Sequence, residues 1–325
     1  MSRRLPDGGR VLLTGGSGFI GGAVLRQLES GRDAPPLRVL VNRRAPVTGR
    51  GAAELVPADL ADPASLRGVC SGVHTVLHLA SQIGGSPGRL RQVNRDGTAA
   101  LLAEAAAAGV RRVVYLSTTA VYRDGVHRDL TEYQPDLRPG SETSRSRLAA
   151  ERLVLAAGGT VLRPHLVYGA GDRWVVPALA ELLRRLPHWI DGGRARMSVI
   201  AVEDLARPIA ALARTDWGPV PGGRVLHAAD PEPVRIGEFA TALCEGLGLP
   251  LPEGELTLEQ ARRRLGADWD RRLSLLAVDH WYRSSRLWRL TGCEPGPGPS
   301  ARLAGHLSWY RELLGGAAGP SSVAA

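Results

Sequence analysis

The stretch RVLLTGGSGFIGG, about ten residues from the first methionine, constrains this chain more than any other feature. Arg10 to Leu13 reads as an apolar strand. Gly15, Gly18 and Gly21 follow in the spacing G-x-x-G-x-x-G, and an amphipathic helix opens at Phe19. Spacing alone would be weak evidence, but a strand leading in and a helix leading out are the context that a first βαβ unit requires. Glycine lets the backbone turn sharply and approach a pyrophosphate, whose charge is then held by the amides of the helix N-terminus. The turn therefore predicts a dinucleotide site that includes Gly15, Ser17, Gly18, Phe19, Ile20 and Gly21.

The rest of the N-terminal half continues that rhythm. Further strands are predicted at Leu37 to Val41, Leu55 to Val56, Thr75 to Leu79, Arg112 to Leu116 and Thr160 to Leu162. Helices are predicted between them at Phe19 to Leu28, Pro63 to Val69, Leu90 to Ala108 and Ser144 to Ala157. Six strands alternating with helices imply an α/β fold with a doubly wound parallel sheet of Rossmann type. After Gly169 the alternation stops. Trp174 to Leu186 reads as a helix, Met197 to Val202 as a strand, Leu205 to Ala213 as a helix and Val225 to Ala228 as a strand. We expect residues 1–169 to form the dinucleotide-binding domain, with 197–230 returning to it. Residues 170–196 and 231–314 should form a smaller, mainly helical substrate-binding region. Gly292 to Ser300 reads as a turn-rich linker, and 315–325 as a disordered tail.

Composition removes several classes of function. The 41 basic residues are all arginine, so Schiff-base, P-loop and general-base lysines are excluded. The net charge of +9 invites a nucleic-acid reading. Against it, the arginines are scattered and aromatic residues make up only 5% of the chain, too few to interleave a base-stacking surface. Cys70, Cys244 and Cys293 are far apart and form no C-x-x-C pair, and the eight histidines show no H-E-x-x-H spacing. Neither a disulfide framework nor a metal site is expected. Arg3 and Arg4 precede only a short apolar stretch, and no apolar run approaches the roughly 20 residues of a membrane span. A cytoplasmic protein acting on a small molecule, as monomer or homodimer, is the expectation.

The end of the second predicted strand bears on the choice of dinucleotide. It reads VLVNRRAP, with Arg43 and Arg44 in the turn and no carboxylate. An acidic residue there would accept from a ribose 2′-hydroxyl, whereas arginine suits a 2′-phosphate. NADPH is the expected cofactor, with NADH as the alternative.

Several stretches together resemble the extended short-chain dehydrogenase/reductase family, which includes the sugar-nucleotide epimerases and dehydratases. TGGSGFIG at Thr14 is similar to the family's TGxxGxxG turn, LRPHLVYGAGD from Leu162 to its RPxxVYGPGD, and VEDLA from Val202 to its VxDxA. The resemblance, from about Arg10 to about Leu243, implies cofactor contacts for Asp59 and Leu60 in ADLAD, for Leu79, Ala80 and Ser81 in HLAS, and for Ser117, Pro164 and His165. It implies a bracing role near the active site for Asn94 in VNRDGT.

The same resemblance exposes a departure. The family places a Ser or Thr after strand five, then Tyr and Lys spaced Y-x-x-x-K on the next helix. Thr118, four residues before Tyr122, matches the first. Alignment of TEYQPDLRPGSETSRSRLAAERLV puts Thr143 at the tyrosine and Arg147 at the lysine. Arginine can bond a nicotinamide ribose but cannot exchange a proton. An aliphatic hydroxyl is no acid beside a phenol of pKa about 10. Losing a positioned general acid typically costs about 10² to 10⁴ in rate without touching the hydride donor. One reading is therefore a ketoreductase whose proton comes from substrate or water, for instance on an aromatic polyketide whose ketone is bonded internally to a phenol. The pattern is also similar to that of atypical family members that tailor aromatic polyketide antibiotics. The alternatives are an NADP(H)-binding sensor or scaffold, and a sugar-nucleotide ketoreductase or epimerase. His165 and Tyr168 are further proton-donor candidates, and Ser144 and Ser146 could line the pocket.

Overall fold

Alternating apolar residues drive the first strand into both faces of a sheet, since Val11 and Leu13 pack in one hydrophobic core while Leu12 packs in another. A computed structural model of the chain describes residues 3–4, 9–30, 34–49, 53–133, 136–216 and 223–315. Its principal strands are β1 (Arg10–Thr14), β2 (Leu37–Val41), β3 (Glu54–Pro57), β4 (Val73–His78), β5 (Arg112–Leu116), β6 (His127–Leu130) and β7 (Thr160–Pro164). They are followed by β8 (Leu166–Tyr168), β9 (Arg196–Met197), β10 (Val199–Ala201), β11 (Arg224–Ala228), β12 (Val234–Arg235) and β13 (His280–Tyr282). The longer helices are α1 (Phe19–Glu29), α2 (Gly97–Ala107), α3 (Glu142–Ala156), α4 (Val175–Arg185), α5 (Val202–Arg214) and α6 (Ile236–Leu247).

The central sheet has seven parallel strands in the order β11-β7-β5-β4-β1-β2-β3. Chain direction across the sheet reverses between β1 and β4, so a crevice opens beyond their carboxyl ends. Helices α1 and α5 cover one face through Val24, Leu28, Ile209 and Leu212. Helices α2 and α3 cover the other through Leu101, Ala105, Ala150 and Val154. A third core gathers Tyr168, Val176, Leu179, Phe239, Leu243, Leu273 and Tyr310. Beside it β12, β9, β13 and β6 form a small mixed sheet.

A buried ion pair ties the sheet to α3. Arg163 of β7 and Glu151 of α3 are 2% and 1% exposed, and Arg163 Nη2 lies 2.5 Å from Glu151 Oε2. Arg163 Nη1 also donates to Tyr122 Oη at 2.9 Å, so every nitrogen of its fork is used.

The strand expected at Val225 to Ala228 is present as β11, and it joins the central sheet beside β7, so the sheet has seven strands where six were expected. Other elements differ from the expected ones. The segment expected as a helix from Pro63 to Val69 is a single 3₁₀ turn, Pro63–Leu66, capped by Asp62 and ended by Gly68 at φ +74°. The helix expected to begin at Leu90 begins at Pro87 and contains a π-helical stretch, Arg91–Asp96. The strand expected over Met197 to Val202 breaks at Ser198, whose hydroxyl accepts from Tyr282 N at 3.0 Å, so β9 joins the small sheet and β10 pairs with β8. The expected linker holds the first turn of a helix, Pro299–Leu303. The expected tail, apart from Gly315, lies outside the described residues.

Candidate active site

At the carboxyl ends of β1 and β4 the glycine-rich turn forms one wall of a cleft of about 420 Å³. Gly15 has φ +75°, and a Cβ there would stand 2.8 Å from the Ala80 amide. A Cβ on Gly21 would overlap the Gly15 carbonyl, so both positions require glycine. Gly18 caps α1, which carries no acidic residue in its first turn. The helix therefore presents its amide end to the cleft without a competing carboxylate, an arrangement that fits the pyrophosphate of a dinucleotide.

Thr14 holds the opposite wall. Its oxygen accepts from Leu79 N at 3.1 Å and Ala80 N at 3.0 Å, so its own proton is donated to His78 Nδ1 at 2.8 Å. His78 Nε2 then donates to Thr98, whose hydroxyl donates to Asn94 O. Burial pushes His78 down to about pH 4, with the Arg147 charge acting in the same direction. Burial likewise pushes His227 down to about 3, the Arg163 charge again acting in the same direction. The sign follows directly. The unfolded chain binds protons below about pH 6.5 at sites where the folded chain does not, so stability falls as pH drops from 6.5 toward 4. Thermal unfolding should show a slope of up to about 1.4 kcal/mol per pH unit for each of these two histidines. A flat profile over that window would mean that they are protonated in the fold.

Of the residues expected at the cofactor, Gly15, Ser17, Gly18, Phe19, Ile20, Gly21, Asp59, Leu60, Leu79, Ala80, Ser81 and Arg147 line this cleft. Arg43 and Arg44 line an adjoining pocket of about 320 Å³, which shares Ser17, Asn42, Gln82 and Val93 with the cleft. Arg89 completes that pocket and was not anticipated, because it reaches the site from the far side of the crevice. Asn94 is buried behind the wall. It accepts from Gln82 N at 2.7 Å and donates to Ser146 Oγ at 2.8 Å, fastening the loop after β4 to α3. The π-helical stretch places Asn94 there, and an Asn94→Ala change should loosen that loop, read as faster amide exchange at Gln82 and Gly84.

Of the three residues aligned with the catalytic positions, only Arg147 lines the cleft. Arg147 is on the cleft wall, and its Nη2 donates to Leu116 O at 2.8 Å. Thr143 Oγ1 accepts from Gly84 N at 3.4 Å, and Thr118 Oγ1 caps a 3₁₀ turn by accepting from Ala120 N at 3.2 Å. Neither threonine lines the cleft, and α3 contains no tyrosine. Ser117, Pro164 and His165 also stand outside the lining, at the ends of β5 and β7. His165 Nδ1 is 2.8 Å from Thr119 Oγ1. Tyr168 is removed from any proton role, because its hydroxyl donates to Pro299 O within the third core. Ser144 is buried and accepts from Ser141 Oγ. Tyr133 is exposed, with Arg286 over its ring.

At the mouth of the cleft Ile83 and Trp174 are 58% and 55% exposed and form an apolar rim. Trp174 is fixed by Asp172, whose carboxylate accepts from the amides of Trp174, Val175 and Val176 and from Tyr310 Oη. Arg194 and Arg196 do not line the cleft. Arg194 is paired with Glu255, and Arg196 stacks on Trp281.

Comparison with known proteins agrees with this geometry. The family model for the NAD-dependent epimerase/dehydratase family matches residues 11–224. The chain is 31% identical over 272 residues to 4-hydroxy-2-methyl-3-oxo-4-farnesyl-3,4-dihydroquinoline-1-oxide ketoreductase of Stigmatella aurantiaca, covering 78% of each chain. It is 29% identical over 286 residues to 2-alkyl-3-oxoalkanoate reductase of Stenotrophomonas maltophilia, covering 83% of this chain and 84% of that one. The fold matches the dTDP-glucose 4,6-dehydratase of Streptomyces venezuelae with NAD bound, at TM-score 0.70, 24% identity and coverage of 94% and 98%. It also matches the Bordetella bronchiseptica enzyme WbmH in complex with NAD+, at TM-score 0.73, 21% identity and coverage of 94% and 99%. No helix among the described residues is long and apolar enough to cross a membrane. Strand order, glycine turn and matched sequence converge: the chain belongs to the NAD-dependent epimerase/dehydratase family and is an NAD(P)-dependent oxidoreductase of the extended short-chain dehydrogenase/reductase type.

Proposed function

We propose that the protein is an NADPH-dependent ketoreductase acting on a carbonyl of an aromatic polyketide-type natural product, with the proton supplied by substrate or water. The observation that carries this reading is a dinucleotide cleft whose catalytic helix keeps a cation, Arg147, but has no tyrosine. Oxidising an alcohol or epimerising a sugar requires a base to remove a hydroxyl proton, and neither Thr143 nor Arg147 is one. Reduction needs only a proton source. The bound dinucleotide would supply hydride. The α1 amides would hold its pyrophosphate, and Arg147 would bond its ribose. Arg43, Arg44 and Arg89 would surround a 2′-phosphate. The apolar rim of Ile83 and Trp174 suits a flat aromatic ligand better than a sugar. The relatives named as ketoreductase and reductase support the same direction of chemistry.

A ketone bonded to a neighbouring phenol is polarised before it binds. The test is transfer of deuterium from the 4-position of labelled NADPH to 8-hydroxy-1-tetralone, scored for stereospecificity. Transfer to one face of the carbonyl is the expected result, and its absence with this ketone and with aromatic polyketide extracts would favour a sensor or scaffold. Replacing Arg43 and Arg44 by alanine should weaken NADPH binding about 10- to 100-fold, the loss of two charge-assisted contacts, and leave NADH binding within about two-fold. Equal losses for both would remove the 2′-phosphate assignment.

A further inference from the structure

Of the tryptophans among the described residues, Trp174 alone has an indole with no task inside the fold. Trp189 packs against the third core, Trp288 Nε1 donates to Ala229 O and Trp309 Nε1 donates to Asp172 O. Trp269 lies beneath the guanidinium groups of Arg185 and Arg272, and Trp281 beneath that of Arg196. The Trp174 indole makes no hydrogen bond or ring contact among the described residues, and it lines the dinucleotide cleft.

The backbone that carries this idle ring is tied down at almost every residue. Trp174 ends the loop from Gly169 between β8 and α4. Gly169 N donates to Tyr310 Oη at 2.8 Å, Ala170 N to His306 Nδ1 at 3.2 Å and Asp172 N to Gly169 O at 2.9 Å. Gly171 lies against Phe19, where a Cβ would stand 2.8 Å from the ring, and Phe19 opens α1 directly after Gly18. Asp172 is 1% exposed and takes the Trp174 amide at 2.7 Å. Burial pushes its carboxyl up, against the pull of the three amides and Tyr310. Capping α4 would explain the bonds from Trp174, Val175 and Val176. It leaves those of Gly169 and Ala170 unexplained, because both lie before the cap. The direction in which the indole leaves the chain is therefore set by the fold, and the ordering entropy of the wall is spent before a ligand arrives.

The ring also stands at the end of the cleft where chemistry is expected. Leu40, Ala58, Asp59 and Leu60 line it from β2 and β3, whereas Leu116 and Arg147 line it from β5 and α3, on the other side of β1 and β4. Trp174 enters from the loop that follows β7 and β8, and β7 lies beside β5. It shares that end with Arg147.

We propose that Trp174 is the specificity-determining residue of the cleft, a fixed wall on which a flat aromatic ring of the ketone stacks. This rests on the ketoreductase reading and assigns the choice of substrate to one side chain. Stacked or edge-on aromatic rings gain stability beyond the apolar area they bury. A flat ring can lie flush on the indole, and a saturated ring is held off by its axial hydrogens. Preference for the flat ring is thus what an aromatic wall produces and an aliphatic wall does not.

The probes are 1-tetralone and 1-decalone, which share a fused bicycle and a ketone and differ in one aromatic ring. Each is titrated calorimetrically into protein saturated with NADP+, which has no hydride to give, so binding is read apart from turnover. The ratio of decalone Kd to tetralone Kd should fall about 3- to 10-fold in Trp174→Leu, which keeps an apolar side chain without a π face. Trp174→Phe should hold the ratio within about twofold of the parent, and NADP+ affinity should be unchanged in both variants. A ratio that Trp174→Leu leaves alone, an equal fall in Trp174→Phe, or no binding of tetralone overturns the proposal. Deuteride transfer to 8-hydroxy-1-tetralone decides the ketoreductase reading separately. A ratio that depends on Trp174, with no transfer, ends that reading and leaves the stacking wall; transfer with a ratio independent of Trp174 ends the wall alone.

Discussion

Replacing Gly15 by valine is expected to destabilise the protein by about 2 to 6 kcal/mol and to reduce dinucleotide affinity by at least about a hundredfold. Two costs add. A β-branched residue at φ +75° carries about 1 to 3 kcal/mol of backbone strain, and inserting its side chain against the Leu79–Ala80 backbone costs about 1 to 3 kcal/mol more. Relief requires the end of β4 to move away from β1, and that movement opens the crevice in which the pyrophosphate is expected. Gly68 provides the control. Its φ of +74° is nearly the same, but a Cβ there would meet nothing within 4 Å. Gly68→Ala should therefore cost only the strain, about 1 to 2 kcal/mol, with dinucleotide binding unchanged. Denaturant unfolding and NADPH titration on the two variants separate strain from crowding. Equal losses in both would show that Gly15 matters only for its backbone angle.

Arg163→Met is expected to cost about 3 to 5 kcal/mol, because it leaves Glu151 charged, buried and without its partner. It also removes the donor to Tyr122 Oη. Restoring charge balance should recover most of the loss, so the double variant Arg163→Met with Glu151→Leu should unfold within about 2 kcal/mol of the parent. Chemical denaturation of the single and double variants measures this directly. A single variant that loses less than about 1 kcal/mol would mean that water enters the site and screens Glu151.

Local chemistry made the first βαβ unit readable before any coordinates, because a strand, three glycines and a helix start lie within one short stretch. Asp59, Leu79 and Ala80 are singled out by the family resemblance and not by sheet order, and all three line the cleft. What escaped the sequence depends on contacts between distant segments. Arg89 reaches the pocket of Arg43 and Arg44 across the crevice, and nothing in its own neighbourhood marks it. The tethers of the Trp174 loop to His306 and Tyr310 join positions more than a hundred residues apart. Thr118 and Thr143 illustrate the opposite problem. Alignment assigns both to catalytic positions, but the turn capped by Thr118 and the loop bonded to Thr143 use the hydroxyls for structure.

The attachment of Tyr310 to Asp172 also governs the order in which the molecule can mature. Asp172 fixes Trp174 at the cleft mouth, and Tyr310, from the last described helix, bonds both Asp172 and the Gly169 amide. The dinucleotide turn leaves the ribosome early and its sheet can assemble as synthesis proceeds at about 5 to 20 residues per second. The mouth cannot close its hydrogen bonds until residue 310 has been added. A nascent chain would therefore acquire the capacity to hold a nucleotide before it acquires a finished entrance for the second ligand.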